Sequence, residues 1–241
     1  MSKASKGEHE ADLQKSILEK HGHLVNDEHF SRIINDPKEK VENKIQAIHR
    51  FKFKDENKLK SHINNIMSKA SKGEHEEDLK KYILTYHGHL VNDEHLSRII
   101  NDPNEKVENK IQAIRHFKDP KELETHINRI INDPKEENYL KWEAISNIKD
   151  PKELQKLAEN SDDPFLHKRI INHENVHTDT LHTIAEKSDN PNVHQEILNH
   201  PNVHPDTLHE IAKKSNNSSI HQMILKHPKV QQKTKDLINS K

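Results

Sequence analysis

The chain contains no cysteine, only four glycines, and only five phenylalanines, three tyrosines and one tryptophan among 241 residues. The absence of cysteine excludes disulfide bonds, thiolate nucleophiles and cysteine-ligated zinc sites. Glycine-rich phosphate-binding loops need several glycines close together, and four dispersed glycines do not provide them. The scarcity of aromatic residues also leaves few platforms on which the bases of a single strand could stack.

The sequence lacks an excess of charge of either sign, and it lacks a long apolar segment. There are 39 basic and 40 acidic residues, which gives a net charge of −1 and removes the simplest electrostatic argument for nucleic-acid binding. No apolar run approaches the roughly 18 residues of a membrane-spanning helix, and no signal-peptide pattern is present. We therefore expect a soluble cytoplasmic protein, although export by a route without a signal would leave the same sequence. Lysine greatly outnumbers arginine, which is typical of an AT-rich genome and indicates a bacterial or parasite source.

Two internal repeats organise the chain. Residues 1–52 recur as residues 67–118 with nine substitutions, and the C-terminal third has a shorter period of 27 residues that Leu154, Leu181 and Leu208 mark. Periods of this length are typical of stacked supersecondary units, each of which buries its apolar face against its neighbours.

The apolar residues recur at helical spacing. Val107, Ile111, Ile114 and Phe117 form one apolar stripe. Asp-Pro dipeptides, in which the aspartate can cap a helix and the proline suits its first turn, occur at 36–37, 102–103, 119–120, 133–134, 150–151 and 163–164. About sixteen helices are predicted, over 8–21, 27–35, 38–52, 56–71, 74–87, 93–101, 104–117, 120–132, 135–148, 151–160, 164–172, 178–188, 192–199, 205–214, 218–226 and 230–239.

These patterns predict an all-α fold, a right-handed α-solenoid of about eight stacked helix pairs. Its expected parts are a first copy of the long unit (1–66), a second copy (67–132), a connecting helix pair (133–161) and short repeats with a polar C-terminal cap (162–241). All four parts are expected to form one continuous solenoid.

The short repeats carry a family resemblance. Asn-His-Pro-Asn at 199–202, Pro-Asp-Thr-Leu at 205–208 and Leu-x-x-Ile-Ala at 208–212 resemble the variant leucine-rich repeat, while the helix pairs upstream resemble HEAT repeats. His194 and His221 stand where the variant leucine-rich family commonly has arginine, and the cysteine cluster is missing. The resemblance implies a right-handed helical stack that serves as a scaffold and carries no catalytic residues.

Histidine is the one abundant reactive residue, with 22 in the chain, and many of these histidines recur at equivalent positions of the repeats. The equivalent sets are His167, His194 and His221; His173, His200 and His227; His177 and His204; and His182 and His209. We interpret them as turn-capping residues that were copied with the repeat. Binding of a metal ion and sensing of pH, through protonation below about pH 6, are the alternatives.

A second histidine cluster surrounds two glycines that are predicted to end helices, Gly22 and Gly88. Helix capping is the favoured interpretation of this cluster as well, because cations are stabilised near the carbonyl end of a helix. The metal-ion alternative would use His21, His23 and His29 in the first copy, and His87, His89 and His95 in the second.

The predicted function is non-enzymatic. Paired carboxylates and a serine in a catalytic context are not recognisable, so we expect a scaffold that binds a protein partner through its concave surface, with no cofactor and with a monomer favoured. Candidate contact residues are Trp142 and Tyr139, at the join between long and short repeats, and His167, His194 and His221. Alternative functions are a nucleic-acid-binding solenoid, which would use Lys40, Lys44, Arg98, Lys106, Lys110, Arg115 and Arg129, and a metal-binding or pH-responsive protein.

Overall fold

The computed structural model describes residues 25–51, 55–69 and 74–241, together with the single positions 13, 16, 17, 20 and 21. This part of the chain contains α-helices and no β-strand, which confirms the all-α prediction. None of its helices is both long and apolar enough to cross a membrane. The predicted helix at 8–21 lies almost entirely outside the described residues.

Fifteen α-helices occupy the described residues, with one 3-10 turn, Gly88–Leu90, between the fourth and the fifth. They are α1 (Asp27–Asn35), α2 (Val41–Phe51), α3 (Glu56–Lys69), α4 (Glu74–His87), α5 (Asp93–Asn101), α6 (Val107–His116), α7 (Pro120–Asn132), α8 (Asn138–Ser146), α9 (Pro151–Asn160), α10 (Pro164–Ile171), α11 (Thr178–Lys187), α12 (Pro191–Asn199), α13 (Pro205–Lys214), α14 (Ser218–Lys226) and α15 (Gln232–Asn239).

The chain divides into two compact units, 1–126 and 127–241. In the first unit, α1, α3 and α5 pack side by side as one layer, and α2, α4 and α6 pack as the other. In the second unit, α9, α11, α13 and α15 form one layer, and α8, α10, α12 and α14 form the other. Within each unit, the helices of a layer therefore contact the equivalent helices of the next repeat, which is the packing of an α-solenoid.

The core of the second unit follows directly from the 27-residue period. Leu154, Leu181 and Leu208 are completely buried at equivalent positions of α9, α11 and α13. Ala158, Ala185 and Ala212 are also completely buried, and their small side chains allow neighbouring helices of the layer to approach closely. Burial of each leucine contributes about 1.5–3 kcal/mol, so the stack is stabilised mainly by these repeated apolar contacts.

The Asp-Pro dipeptides have two roles, and the sequence pattern predicts only one of them, the start of a helix. Asp119, Asp150 and Asp163 precede helices whose first residue is proline, as predicted. Asp36, Asp102 and Asp133 instead end the preceding helix in a turn, and the next helix begins five residues later, so the predicted starts at 38, 104 and 135 are too early.

The later start has a physical cause in the two long copies. The Glu39 carboxylate accepts hydrogen bonds from the Lys40 N–H at 3.1 Å and from the buried Asn43 amide at 2.8 Å. Glu105 makes the same two bonds in the second copy, to Lys106 at 3.1 Å and to Asn109 at 2.7 Å. The glutamate therefore satisfies backbone and side-chain donors at the new helix start, beyond the proline.

Candidate functional site

The first histidine ladder ties each short repeat together through the backbone. The Nε2 atoms of His167, His194 and His221 lie 2.7 Å from the carbonyl oxygens of Ser161, Ser188 and Ser215, the residues that follow α9, α11 and α13. Because a carbonyl only accepts hydrogen bonds, Nε2 must carry the proton in all three. Each bond satisfies a carbonyl that the helix end leaves without an intrahelical partner.

Two of these side chains are held neutral. His167 and His194 are completely buried, and their Nδ1 atoms have no hydrogen-bond partner among the described residues. Burial lowers the pKa of both histidines, and this effect outweighs the bond to the serine carbonyl, which raises it. Both were predicted to contact a partner, but complete burial places them in the packing between helices, away from any accessible surface. His221 is half-buried.

The second ladder caps turns. The Nδ1 atoms of His173, His200 and His227 accept hydrogen bonds from the backbone N–H two residues later, at 3.1, 3.2 and 3.1 Å. His204 makes the same bond to Asp206 N–H at 3.2 Å, at the start of α13. The interpretation of these histidines as turn caps is confirmed, whereas the His167 ladder caps helix ends by donating to carbonyls.

The histidines around Gly88 do not assemble a metal site. His87 and His95 are buried, while the His89 side chain is 48% exposed with its Nε2 atom 3.7 Å from Glu56. Within the described residues, no group of three or more histidine, aspartate or glutamate side chains converges as metal ligands would. In the first copy, His21 and His29 are exposed, and His23 lies outside the described residues.

Gly88 follows α4, as predicted, but the reason for a glycine there differs from the predicted one. Its φ angle is not positive, so no left-handed conformation demands glycine. The imidazole of His116 packs directly on its α-carbon, and a methyl group at this position would lie 2.6 Å from Cγ and Nε2 of His116. Close approach between α6 and the turn after α4 therefore requires the missing side chain.

An accessible groove of about 380 Å³ lies in the second unit, on the layer formed by α8, α10 and α12. Trp142 of α8 and Phe165 of α10 line it with their rings stacked, 5.6 Å apart between centroids and 13° from parallel. Trp142 is half-buried, and Phe165 is 53% exposed. Tyr139, 56% exposed, lies one turn before Trp142 on the same helix. The other residues lining the groove are Lys168, Arg169, Asn172 and Glu196.

The charged residues of the groove differ in how far their charges are compensated. Lys168 forms an ion pair with Glu196 at 3.3 Å, and the Asn172 amide lies 3.5 Å from the same carboxylate. Arg169 donates to the hydroxyl of Ser146, which in turn donates to the Trp142 carbonyl at 2.9 Å. Among the described residues, no carboxylate lies within ion-pairing distance of the Arg169 guanidinium. The groove therefore combines an aromatic wall with one arginine whose charge is unpaired.

Sequence reasoning identified Trp142 and Tyr139 but missed Phe165 and the basic residues beside it. A signal was present in the repeat alignment, because Phe165 occupies the position that Asn192 and Ser219 hold in the next two repeats. Both of those residues are exposed. A large apolar residue at a position where sister repeats are polar and exposed indicates a surface selected for contact.

No family model, no curated protein and no solved structure matches this chain significantly, so the candidate site rests on the chain's own residues and their geometry.

Proposed function

We propose that this protein is a non-enzymatic helical-repeat scaffold that binds a protein partner through the groove between α8, α10 and α12. The observation that carries the proposal is the accessible stack of Trp142 on Phe165, with Tyr139 one turn away. Exposed aromatic residues are the side chains that most often dominate binding energy at protein interfaces. In a chain with so few aromatic residues, three on one layer of one unit mark that layer as the binding surface.

Nucleic acid is the less favoured partner because four of the seven basic residues that would hold phosphates are buried or lie near carboxylates. Lys110 is buried, Arg98 forms an ion pair with Glu94, and Arg129 lies 3.7 Å from Glu136. Lys106 lies 3.9 Å from Glu77. Phosphate recognition needs several cations with uncompensated charge along one track. The groove itself offers one such arginine beside a lysine that Glu196 already neutralises.

The test compares partner capture by three forms of the full chain. Wild-type protein, the double variant Trp142→Ala/Phe165→Ala and the control Tyr86→Ala would each be immobilised and exposed to lysate with and without nuclease treatment. Tyr86 is a matched control because its side chain is 62% exposed, yet it belongs to α4 of the first unit and does not line the groove. We expect a stoichiometric protein band with the wild-type and control proteins that the double variant loses.

Two outcomes would contradict the proposal. A protein captured equally well by the double variant would place the binding surface elsewhere. Material that disappears on nuclease treatment would instead indicate a nucleic-acid-binding solenoid, and its affinity should then fall steeply with salt. Thermal unfolding of all three proteins verifies that loss of capture does not reflect loss of folding.

A further inference from the structure

We propose that the groove binds a peptide segment in which a bulky apolar side chain lies next to an aspartate or glutamate. This inference rests on the proposed function, since it specifies the partner of the same groove. The apolar side chain would lie against the Trp142–Phe165 stack, and the acidic one would pair with Arg169.

The stacked rings of Trp142 and Phe165 account for the apolar side chain of the proposed peptide. The two rings are nearly parallel and come from successive helices of the layer, so they form one continuous surface across α8 and α10. The backbone that carries each ring belongs to a helix, and Phe165 lies in the first turn of α10, where Asp163 caps the Phe165 N–H at 2.9 Å. A rigid aromatic surface loses little conformational entropy on binding, and it favours aromatic, leucine or proline side chains in the partner.

Arg169 accounts for the acidic residue of the proposed peptide. Its guanidinium is oriented by Ser146, whose hydroxyl is anchored on the Trp142 carbonyl, so the cation is held beside the aromatic wall. One N–H group serves Ser146, which leaves others of the five guanidinium donors for a ligand. Two parallel N–H groups match the two oxygens of a carboxylate, and such charge-assisted pairs are the strongest hydrogen bonds in proteins.

The remaining charges favour a single acidic residue over a polyanion. Glu196 lines the same groove as Arg169, and its negative charge is compensated by Lys168 and the Asn172 amide. A ligand carrying one carboxylate at Arg169 avoids this anion, whereas a phosphate backbone would place further negative charge close to it. Charge complementarity therefore selects an acidic peptide with an apolar anchor.

The probe for the test is a phage-displayed library of random dodecapeptides. It would be selected on the full wild-type chain after depletion on Trp142→Ala/Phe165→Ala. Enriched sequences would then be synthesised with a fluorescent label, each with a matched form in which the acidic residue is replaced by its amide. Affinities would be measured by fluorescence anisotropy against wild type, Arg169→Gln, Arg169→Lys and the control Lys152→Gln, an exposed lysine on α9.

We expect enriched peptides to contain an acidic residue next to an aromatic residue, leucine or proline. Arg169→Gln should weaken binding at least about tenfold, as removal of a charge-assisted hydrogen bond does. The amide form of the peptide should bind the wild-type protein as weakly as the acidic form binds the Arg169→Gln variant. The Arg169→Gln variant should bind the acidic and amide peptides with equal affinity. Arg169→Lys should give an intermediate affinity, and Lys152→Gln should leave binding unchanged.

Different experimental results would contradict the acidic motif alone or the protein-binding groove as well. Groove-dependent peptides without acidic residues, or affinities that Arg169→Gln leaves unchanged, would overturn the acidic motif while the groove remained a protein-binding site. Failure to enrich any groove-dependent peptide, combined with groove-dependent binding of a labelled oligothymidine, would overturn both.

Discussion

The two units of the chain use their inward-facing histidines differently. In the first unit, the Nε2 atoms of His62 and His126 lie 3.0 and 2.9 Å from the hydroxyls of Ser31 and Ser97, so each histidine depends on a serine side chain of another helix. In the second unit, His182 and His209 also bond to hydroxyls, those of Thr207 and Thr234. The His167 ladder instead bonds to backbone carbonyls, which are present whatever residue occupies the position.

This difference matches the size of the repeated segments. A bond from histidine to backbone is complete within one 27-residue repeat, because His194 and the Ser188 carbonyl lie six residues apart. A serine–histidine pair joins α1 to α3 or α5 to α7 and is preserved only when both helices are copied together. The long copies also repeat the contact of each histidine with a buried phenylalanine, at 5.5 Å between Phe51 and His62 and at 5.3 Å between Phe117 and His126.

Substitutions in the second long copy concentrate on a few contacts. Glu77, Lys80, Tyr82, Tyr86 and His116 stand where the first copy has Ala11, Gln14, Ser16, Lys20 and Arg50. Lys80 is buried and bonds to Glu105 at 2.6 Å and to Glu77 at 2.5 Å. Burial alone would lower the pKa of Lys80, but the bonds and charges of the two glutamates outweigh it and raise the pKa. In the second copy, two of these substituted residues, Glu77 and Lys80, therefore bind α4 to Glu105 at the start of α6.

The largest expected effect is on the backbone-bonded ladder of the second unit. His194→Ala should reduce the free energy of unfolding by about 2–4 kcal/mol, since it leaves the Ser188 carbonyl without its donor and opens a cavity. Urea titration measures this loss. His177→Ala is the control, because that side chain is exposed and makes no capping hydrogen bond, so it should change stability by less than about 1 kcal/mol. Equal losses in the two variants would show that the ladder has no structural role.

The next effect tests the close approach in the second long copy. Gly88→Ala should destabilise the protein by about 1–3 kcal/mol, because the new methyl group would overlap the His116 ring. His116→Ala removes the obstacle, so the double variant should be more stable than the sum of the single variants predicts. Strict additivity in thermal unfolding would contradict the contact. The substitution His116→Arg introduces the arginine of the first copy and tests whether that side chain fits beside Gly88.

Stability should fall as the pH is lowered. Burial lowers the pKa of His62, His167 and His194 below the ordinary histidine value of 6.5, and the pKa values of His95, His116, His173, His200 and His227 are lowered for the same main reason. Between the folded and unfolded pKa values, the unfolded chain binds more protons, so stability is complete above about pH 6.5 and is lost progressively below it.

The slope should reach at most about 1.4 kcal/mol per pH unit for each histidine whose protonation is fully suppressed. Urea titrations between pH 8 and pH 5 measure it, and His194→Phe should make the slope shallower than in wild type. A stability that is constant or rises towards pH 5 would be inconsistent with neutral, buried histidines.

The smallest effect concerns a lysine that links one short repeat to the preceding one. Lys214 donates to the Glu186 carbonyl near the end of α11 and lies 3.1 Å from Asp189. Lys214→Met should reduce the free energy of unfolding by about 0.5–1 kcal/mol, because a cation at a helix C-terminus is favourable but partly screened. The difference should shrink in high salt. Lys213→Met is the control, since its pair with Glu210 is within one helix and exposed on the lysine side.

Much of the fold could be read from local patterns. The predicted spans 27–35, 93–101, 120–132, 151–160, 205–214 and 218–226 match α1, α5, α7, α9, α13 and α14 at both ends. Helix formation depends on apolar spacing and capping residues that are neighbours in sequence, so these patterns are visible without a structure. The predicted starts of α2 and α6 are too early, because the glutamates that bond to the start of each helix, Glu39 and Glu105, follow the proline instead of preceding it.

The sequence by itself therefore determined that the chain is helical and repetitive, and that Trp142 is exceptional. Only the tertiary structure decided which histidines donate to carbonyls and why Gly88 must be glycine. It also decided that Trp142 stacks on Phe165 and lines the same groove as Arg169. These outcomes depend on which helix faces approach each other. Residues such as Trp142 and Phe165 lie on different helices, and their stacking follows from the packing of α8 against α10 rather than from any local pattern.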